Sequence, residues 1–317
     1  MSARQRVEPL VTPGWTAPRG SDSLTALMPR VQANGIELFY DEHGDRNAPP
    51  LVLVMGLGMQ MIGWNEGFVR LLAGRGFRVI RHDNRDVGLS THFDGVSSHL
   101  KDVLNGDASQ VPYRLTDMAR DTVGLLDALG IDAAHFVGAS MGGMIVQTVA
   151  IEHPRRVLSL CSIMSTTGAR DAGQATREAM TVLMGPAATD RESAVTRALA
   201  AHRVIGSPAY PVSDEVVRAR AEAAFDRAFY PEGFARQLAA IRASPDRTPA
   251  LRSVSAPTLV IHGEEDTLVQ VSGGEATARA IPGATLLRLP GMGHDFPEPL
   301  WPQLVDAIAE NAARAKR

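Results

Sequence analysis

One segment limits the possible folds more than any other: His135-Phe-Val-Gly-Ala-Ser-Met-Gly-Gly-Met144. An apolar run breaks at Gly138-x-Ser140-x-Gly142 and resumes as the helix-like pattern Met144-Ile-Val-Gln-Thr-Val-Ala150. A serine placed this way fits a sharp strand-to-helix turn. Glycine suits both flanks because Cβ atoms there would crowd the turn. The hydroxyl then projects at the carboxyl edge of a sheet, with a helix N-terminus behind it. That N-terminus offers unpaired backbone N–H groups to a developing negative charge.

The bare pattern is weak, and its surroundings give it weight. His262-Gly-Glu-Glu-Asp266 follows the strand-like run Thr258-Leu-Val-Ile261, so Asp266 stands just past a strand. Gly291-Met-Gly-His294-Asp-Phe-Pro297 follows Ala284-Thr-Leu-Leu-Arg-Leu289, which puts His294 in the loop after the next one. The chain order is therefore serine, acid, histidine, one of the few orders in which such a trio recurs.

The elements around these segments alternate. Val31 to Tyr40 reads as a hairpin turning at Asn34-Gly35. Pro50-Leu-Val-Leu-Val-Met55 is a continuous apolar run, as a strand buried on both faces requires. Helical periodicity runs from Trp64 to Ala73, stopped by Gly74 and Gly76, and again from Leu115 to Leu129, stopped by Gly130. Between and after them, Phe77-Arg-Val-Ile80 and Val157 to Met164 read as further strands. This βαβα alternation predicts a mostly parallel sheet with helices on both faces.

From 165 to 249 the strand pattern disappears. Helix-like stretches near 172–184, 190–204, 213–228 and 231–243 are punctuated by Pro186, Pro208, Pro211, Pro231 and Pro245. An all-helical insert between two strands reads as a cap over the carboxyl edge of the sheet, with dimerisation as its alternative role. The core is then 30–164 together with 250–317, and residues 1–29 read as a loosely ordered extension. That extension lacks the continuous apolar segment of a secretory signal, so a cytoplasmic protein is expected.

Composition excludes several function classes. Of 317 residues, 44% are hydrophobic and 21% charged, and the formal net charge is -3, which gives no electrostatic basis for nucleic-acid binding. No apolar run has the length of a membrane span. The single Cys161 lies in an apolar strand and reads as a core thiol. No His/Cys/Asp spacing points to a metal, and Gly56-x-Gly58 lacks the third glycine of a nucleotide fingerprint.

On these residues the chain resembles the α/β-hydrolases over about residues 31–314, and within them the aclacinomycin methylesterase-like bacterial carboxylesterases. The resemblance is carried by Val54-Met-Gly-Leu-Gly-Met59, Arg81-His-Asp-Asn-Arg-Asp-Val-Gly-Leu-Ser90, Gly138-Ala-Ser-Met-Gly142, Pro257-Thr-Leu-Val-Ile-His-Gly263 and Pro290-Gly-Met-Gly-His294. Where the family often has His-Gly after its third strand, this chain has Met55-Gly56. The resemblance implies an α/β-hydrolase fold with a helical cap and a serine carboxylester hydrolase needing no cofactor or metal. Its partners would be small, uncharged esters of short or medium acyl chain, methyl esters among them.

In that reading Ser140 is the nucleophile, His294 the base and Asp266 the acid that fixes the imidazole tautomer. The backbone N–H groups of Leu57 and Met141 form the oxyanion hole, with Gly58 as the alternative to Leu57. Each assignment has a competitor. Ser140 could be a helix N-cap, Glu264 or Glu265 could be the acid, and His294 could be an ordinary loop histidine. His262 reads as structural, Asp295 as aimed elsewhere, and Asp83, Arg85 and Gly88 as a hydrogen-bonded turn behind the oxyanion loop. Met55, Met59, Met61 and Met141 fit either an acyl pocket or plain core. Thioester, phospholipid and carbon–carbon bond hydrolysis, perhydrolysis, and ligand binding without turnover remain open on the same trio. Epoxide-opening and dehalogenating relatives carry an aspartate where this chain has Ser140.

Overall fold

The computed structural model describes residues 29–315, so the expectation for the N-terminal extension falls on residues outside the described ones. The chain opens with β1 (Arg30–Ala33) and β2 (Ile36–His43). Ala33 pairs with Ile36, and Asn34 and Gly35 take φ values of 49° and 78°. Both turn positions thus have the positive φ that a two-residue hairpin loop demands.

The remaining core elements up to the insert are β3 (Pro50–Val54), α1 (Glu66–Gly74), β4 (Arg78–His82), α2 (Leu100–Leu104), α3 (Leu115–Ala128), β5 (Ala134–Ala139), α4 (Met141–Glu152) and β6 (Val157–Ile163). Then come five helices with no intervening strand: α5 (Arg177–Leu183), α6 (Arg191–Ile205), α7 (Asp214–Arg227), α8 (Glu232–Ala243) and the short α9 (Thr248–Leu251). The core resumes with β7 (Thr258–Gly263), α10 (Ser272–Ala280), β8 (Thr285–Leu289) and α11 (Trp301–Ala313).

The eight strands form one sheet in the order β1-β2-β4-β3-β5-β6-β7-β8. β1, β2 and β4 pair antiparallel, and every pairing from β4 through β8 is parallel. Successive strand residues point to opposite faces. Val52 and Val54 join one apolar layer with α3 and α4, whereas Leu51, Leu53 and Met55 join the other with α1 and α11. Both faces are covered, which is why β3 reads as an unbroken apolar run.

Two boundaries differ from the sequence pattern. α1 starts at Glu66, where the Asn65 side chain accepts a hydrogen bond from Gly67 N–H, and Trp64 is instead a core residue only 1% exposed. α5 starts at Arg177 because the Thr176 side chain caps it by accepting from Ala179 N–H. A polar cap sets a helix start more sharply than apolar spacing does. Cys161 is buried, and burial pushes its thiol well above the ordinary value.

Strand order reverses at β3, whose sequence successors lie on either side of it as β4 and β5. In an open α/β sheet such a switch point leaves a crevice at the carboxyl ends of the strands. Val54 of β3 pairs with Gly138 of β5, so the loop after β3 and the turn after β5 emerge side by side into it.

Candidate active site

Ser140 sits at the turn between β5 and α4 with φ 55° and ψ −118°. A positive φ on a non-glycine residue is strained and persists only where packing enforces it. Here the enforcement is visible. A Cβ on Gly138 would lie 2.2 Å from Gly142 O, and one on Gly142 would lie 2.0 Å from Val54 O. The elbow backbone is held by Ser140 N–H to Ile163 O at 2.9 Å and by Ser165 Oγ donating to Ser140 O at 2.8 Å.

The Ser140 side chain makes no capping hydrogen bond to α4. Its Oγ lies 3.0 Å from His294 Nε2 instead, and His294 Nδ1 lies 2.7 Å from Asp266 Oδ2. The three groups come from the loops after β5, β7 and β8. Asp266 is fixed from behind, because its Oδ1 accepts from the N–H groups of Leu268 at 2.9 Å and Val269 at 2.8 Å. With Oδ2 as acceptor, His294 donates from Nδ1 and leaves Nε2 free to accept the Ser140 hydroxyl proton. Burial acts to raise the Asp266 carboxyl, but electrostatic attraction to the His294 ring and hydrogen bonds from His262 and His294 outweigh it and hold the group below its ordinary value.

The competing acids lie elsewhere. Glu264 pairs with Arg288 at 3.0 Å, and Glu265 is exposed. His262 donates from Nε2 to Val269 O at 2.6 Å and supports the Asp266 loop from within the core. Asp295 turns away to accept from Ser207 Oγ.

Among the described residues, the N–H groups of Leu57 and Met141 have no hydrogen-bond partner, whereas Gly58 N–H donates to Gln237 Oε1 at 2.8 Å. Leu57 N–H is therefore open to a further acceptor and Gly58 N–H is not. Gly56 lets the loop pass close by: a Cβ there would be 3.1 Å from Ser140 Cβ. Asn84 Nδ2 donates to Met55 O at 2.9 Å and ties the same loop to the one after β4.

Asp83 and Arg85 serve the frame. Asp83 accepts from Met61 N–H and Leu89 N–H and pairs with Arg227 of α7 at 2.7 Å, while Arg85 pairs with Asp121 at 2.6 Å. Asp86 pairs with Arg236 of α8 at 2.8 Å. The Asp83–Arg227 and Asp86–Arg236 pairs bolt the helical insert to the loop after β4, and Arg85–Asp121 ties that loop to α3. Breaking one by removing a single partner strands a buried charge.

The methionines divide differently from the pocket reading. Met55, Met61 and Met141 are buried in the core and Met59 is 50% exposed, and none of them borders the cavity found above the sheet edge. That cavity, about 430 Å³, is walled by Leu183, Phe225, Phe229, Phe234 and Leu238 of the insert. Gly58 and Gln60 from the loop after β3 and Val87 and Gly88 from the loop after β4 complete it. Its size is that of a small-molecule site. Ser140 and His294 do not line it, and it starts one residue beyond Leu57.

Three participants escape sequence reading: Gln237, Ser165 and Ser207. Ser207 Oγ accepts from Gly293 N–H at 2.8 Å, and Ile205 O accepts from His294 N–H at 2.7 Å. The end of α6 thus holds the histidine loop directly. A Cβ on Gly293 would lie 2.5 Å from Gly206 O, so glycine is required at that approach. Among the described residues no group of three His, Cys, Asp or Glu side chains is placed to hold a metal, and no helix is long and apolar enough to cross a membrane.

With this geometry established, comparison with known proteins gives a consistent family. The sequence model of the alpha/beta hydrolase fold matches residues 49–298. A rhodomycin D methylesterase from a Streptomyces strain is 27% identical over 90% of this chain and 98% of its own length. A 2-hydroxy-6-oxononadienedioate/2-hydroxy-6-oxononatrienedioate hydrolase from Paraburkholderia xenovorans is 29% identical over 82% of this chain and 84% of its own. The crystal structure of an enol-lactonase from Burkholderia xenovorans superposes with a TM-score of 0.71 at 26% identity, covering 90% of this chain and all of that one.

Proposed function

This chain belongs to the α/β hydrolase family, and from that premise we propose that it is a serine hydrolase that cleaves carboxylic esters through an acyl-enzyme. One observation carries the reading: Ser140 Oγ is 3.0 Å from His294 Nε2 in a turn where a purely structural serine would cap α4 and this one does not. The methylesterase relative supports an ester, and a methyl ester in particular.

Ser140 Oγ attacks the ester carbonyl carbon as its proton passes to His294 Nε2. The new C–O bond pushes the carbonyl π pair onto oxygen, and that oxyanion accepts hydrogen bonds from Leu57 N–H and Met141 N–H. Such donors contribute roughly 3 kcal/mol each when they are aimed before the charge forms. The tetrahedral centre collapses and expels the alkoxide, which takes the proton back from His294. Asp266 stabilises the imidazolium meanwhile without itself taking the proton. Water then attacks the acyl-enzyme by the same route and frees the acid. Helices α5–α8 act as a cap over the acyl side, and substrate passes beneath them.

The test is hydrolysis of a panel of methyl, aryl and thio esters by wild-type protein and Ser140→Ala. The variant should fold normally and lose about 10⁴-fold or more in kcat/KM, and a fluorophosphonate should label Ser140 alone. Labelling at another serine, or full activity in Ser140→Ala, refutes the nucleophile. Carbon–carbon cleavage on the same trio is the second reading, favoured by the dienedioate hydrolase relative. A 2-hydroxy-6-oxo-dienoate in the panel separates the two.

A further inference from the structure

The cavity beside Gly58 holds one charge that ester cleavage itself does not use. Two of its lining groups carry a formal charge, Asp86 and Arg197. Asp86 is already compensated: it pairs with Arg236 at 2.8 Å and accepts from Tyr113 Oη at 2.6 Å. Arg197 is not. Its guanidinium donates to the carbonyls of Leu183 at 2.8 Å, Gly185 at 2.7 Å and Pro186 at 2.7 Å, and lies 5.4 Å from the centre of the Phe234 ring. Burial pushes its pKa below the ordinary value, and among the described residues no acidic neighbour offsets it. Carboxylates hold Arg81, Arg85 and Arg236 in the opposite direction despite the burial that opposes them.

The guanidinium caps the end of α5 by donating to these three carbonyls, which orient it but carry dipoles and no net charge. Of the five N–H groups an arginine offers, two stay without a partner among the described residues. A half-buried, oriented cation on an apolar wall gains from an anion brought in by a ligand.

Position decides which half of an ester would carry that anion. The leaving alcohol must reach His294 to collect its proton, yet no residue of the loop 291–295 lines the cavity. Gly58, next to the oxyanion donor Leu57, does line it. The cavity therefore follows the acyl carbon. Arg197 and Ile205, whose carbonyl holds His294 N–H, lie on the same helix α6. Their separation is about 12 Å along the helix axis, so the anion belongs at the far end of the acyl chain.

We propose that the insert cavity is a subsite for an acyl group ending in a carboxylate, with Arg197 as its counter-charge, so that the substrates are half-esters of dicarboxylic acids. Given ester hydrolysis at Ser140, on which this rests, the preference runs against the uncharged esters expected from the sequence.

Two measurements keep the subsite and the chemistry distinguishable. The first is kcat/KM of wild type, Arg197→Gln and Arg197→Lys on monomethyl esters of dicarboxylic acids of graded length, each beside the methyl alkanoate of equal length. Wild type should favour the half-ester at one intermediate length. Arg197→Gln should lower the half-ester to alkanoate ratio about tenfold or more, and Arg197→Lys should retain part of it. The ratio cancels any general effect of loosening the end of α5. The second is calorimetric binding of the same pairs to Ser140→Ala and to Ser140→Ala combined with Arg197→Gln, which needs no turnover. Tighter binding of the half-ester that disappears with Arg197→Gln supports the subsite even if wild type hydrolyses none of the esters, in which case the chemistry alone is wrong. Equal binding of both members at every length, or a preference that survives Arg197→Gln, overturns the proposal.

Discussion

Asp266→Asn tests the site most sharply because the surrounding hydrogen bonds dictate how asparagine must sit. Asp266 Oδ1 accepts from two backbone N–H groups, those of Leu268 and Val269. An asparagine oxygen must occupy that position, since turning the amide NH2 toward two N–H donors costs roughly 1–3 kcal/mol for each buried group left unpaired. The NH2 then falls where Oδ2 was, 2.7 Å from His294 Nδ1. A donor facing a donor forces the imidazole to switch tautomer and carry its proton on Nε2. That nitrogen, 3.0 Å from Ser140 Oγ, can no longer accept the hydroxyl proton. The expected loss is about 10⁴-fold in kcat, or about 5.5 kcal/mol of barrier, as in other triads given this exchange. The assay is p-nitrophenyl butyrate hydrolysis near neutral pH, with circular dichroism to establish that the variant is folded. Glu264→Gln and Glu265→Gln serve as controls and should change the rate by no more than about twofold. A folded Asp266→Asn protein keeping more than about a tenth of wild-type activity would falsify the tautomer argument. A crippled Glu264→Gln would move the acid by two residues.

Two further predictions concern the frame. His82 and His135 are buried, and burial lowers both pKa values from 6.5 to about 4. The unfolded chain therefore binds their protons first as pH falls, so the stabilisation is complete above pH 6.5 and lost through about pH 4, with roughly 2 kcal/mol per imidazole gone by pH 5. Urea unfolding between pH 6.5 and 5 should reveal the slope, and His82→Leu should reduce it; an unchanged slope contradicts the burial argument. Gly142→Ala would bring a methyl 2.0 Å from Val54 O and should cost about 3 kcal/mol or more, or abolish folding. Gly74→Ala, with nothing within 4 Å of its added Cβ, should be neutral or stabilise by up to about 1 kcal/mol, as thermal unfolding can measure.

Features that depend on neighbours along the chain can be read from its residues alone. Strands β3, β5 and β6 are apolar runs, the hairpin turn is Asn34-Gly35, and Gly138 before Ser140 is required by the carbonyl of Gly142 four positions on. The order Ser140, Asp266, His294 was legible because each residue follows a strand, and parallel strands deliver their following loops to one edge. Features that depend on residues far apart in sequence emerge only once the chain is folded. Gly58 N–H is taken by Gln237, 179 positions away, and this alone distinguishes it from Leu57. The buried methionines turned out to be core because their surroundings, not their chemistry, set that outcome. No local pattern marks Ser207 in its loop or Gln237 on α8, since a polar side chain reads as solvated until its partner is known. Arg197 is the same case reversed. Among the described residues no carboxylate faces it, and only the folded surroundings show this.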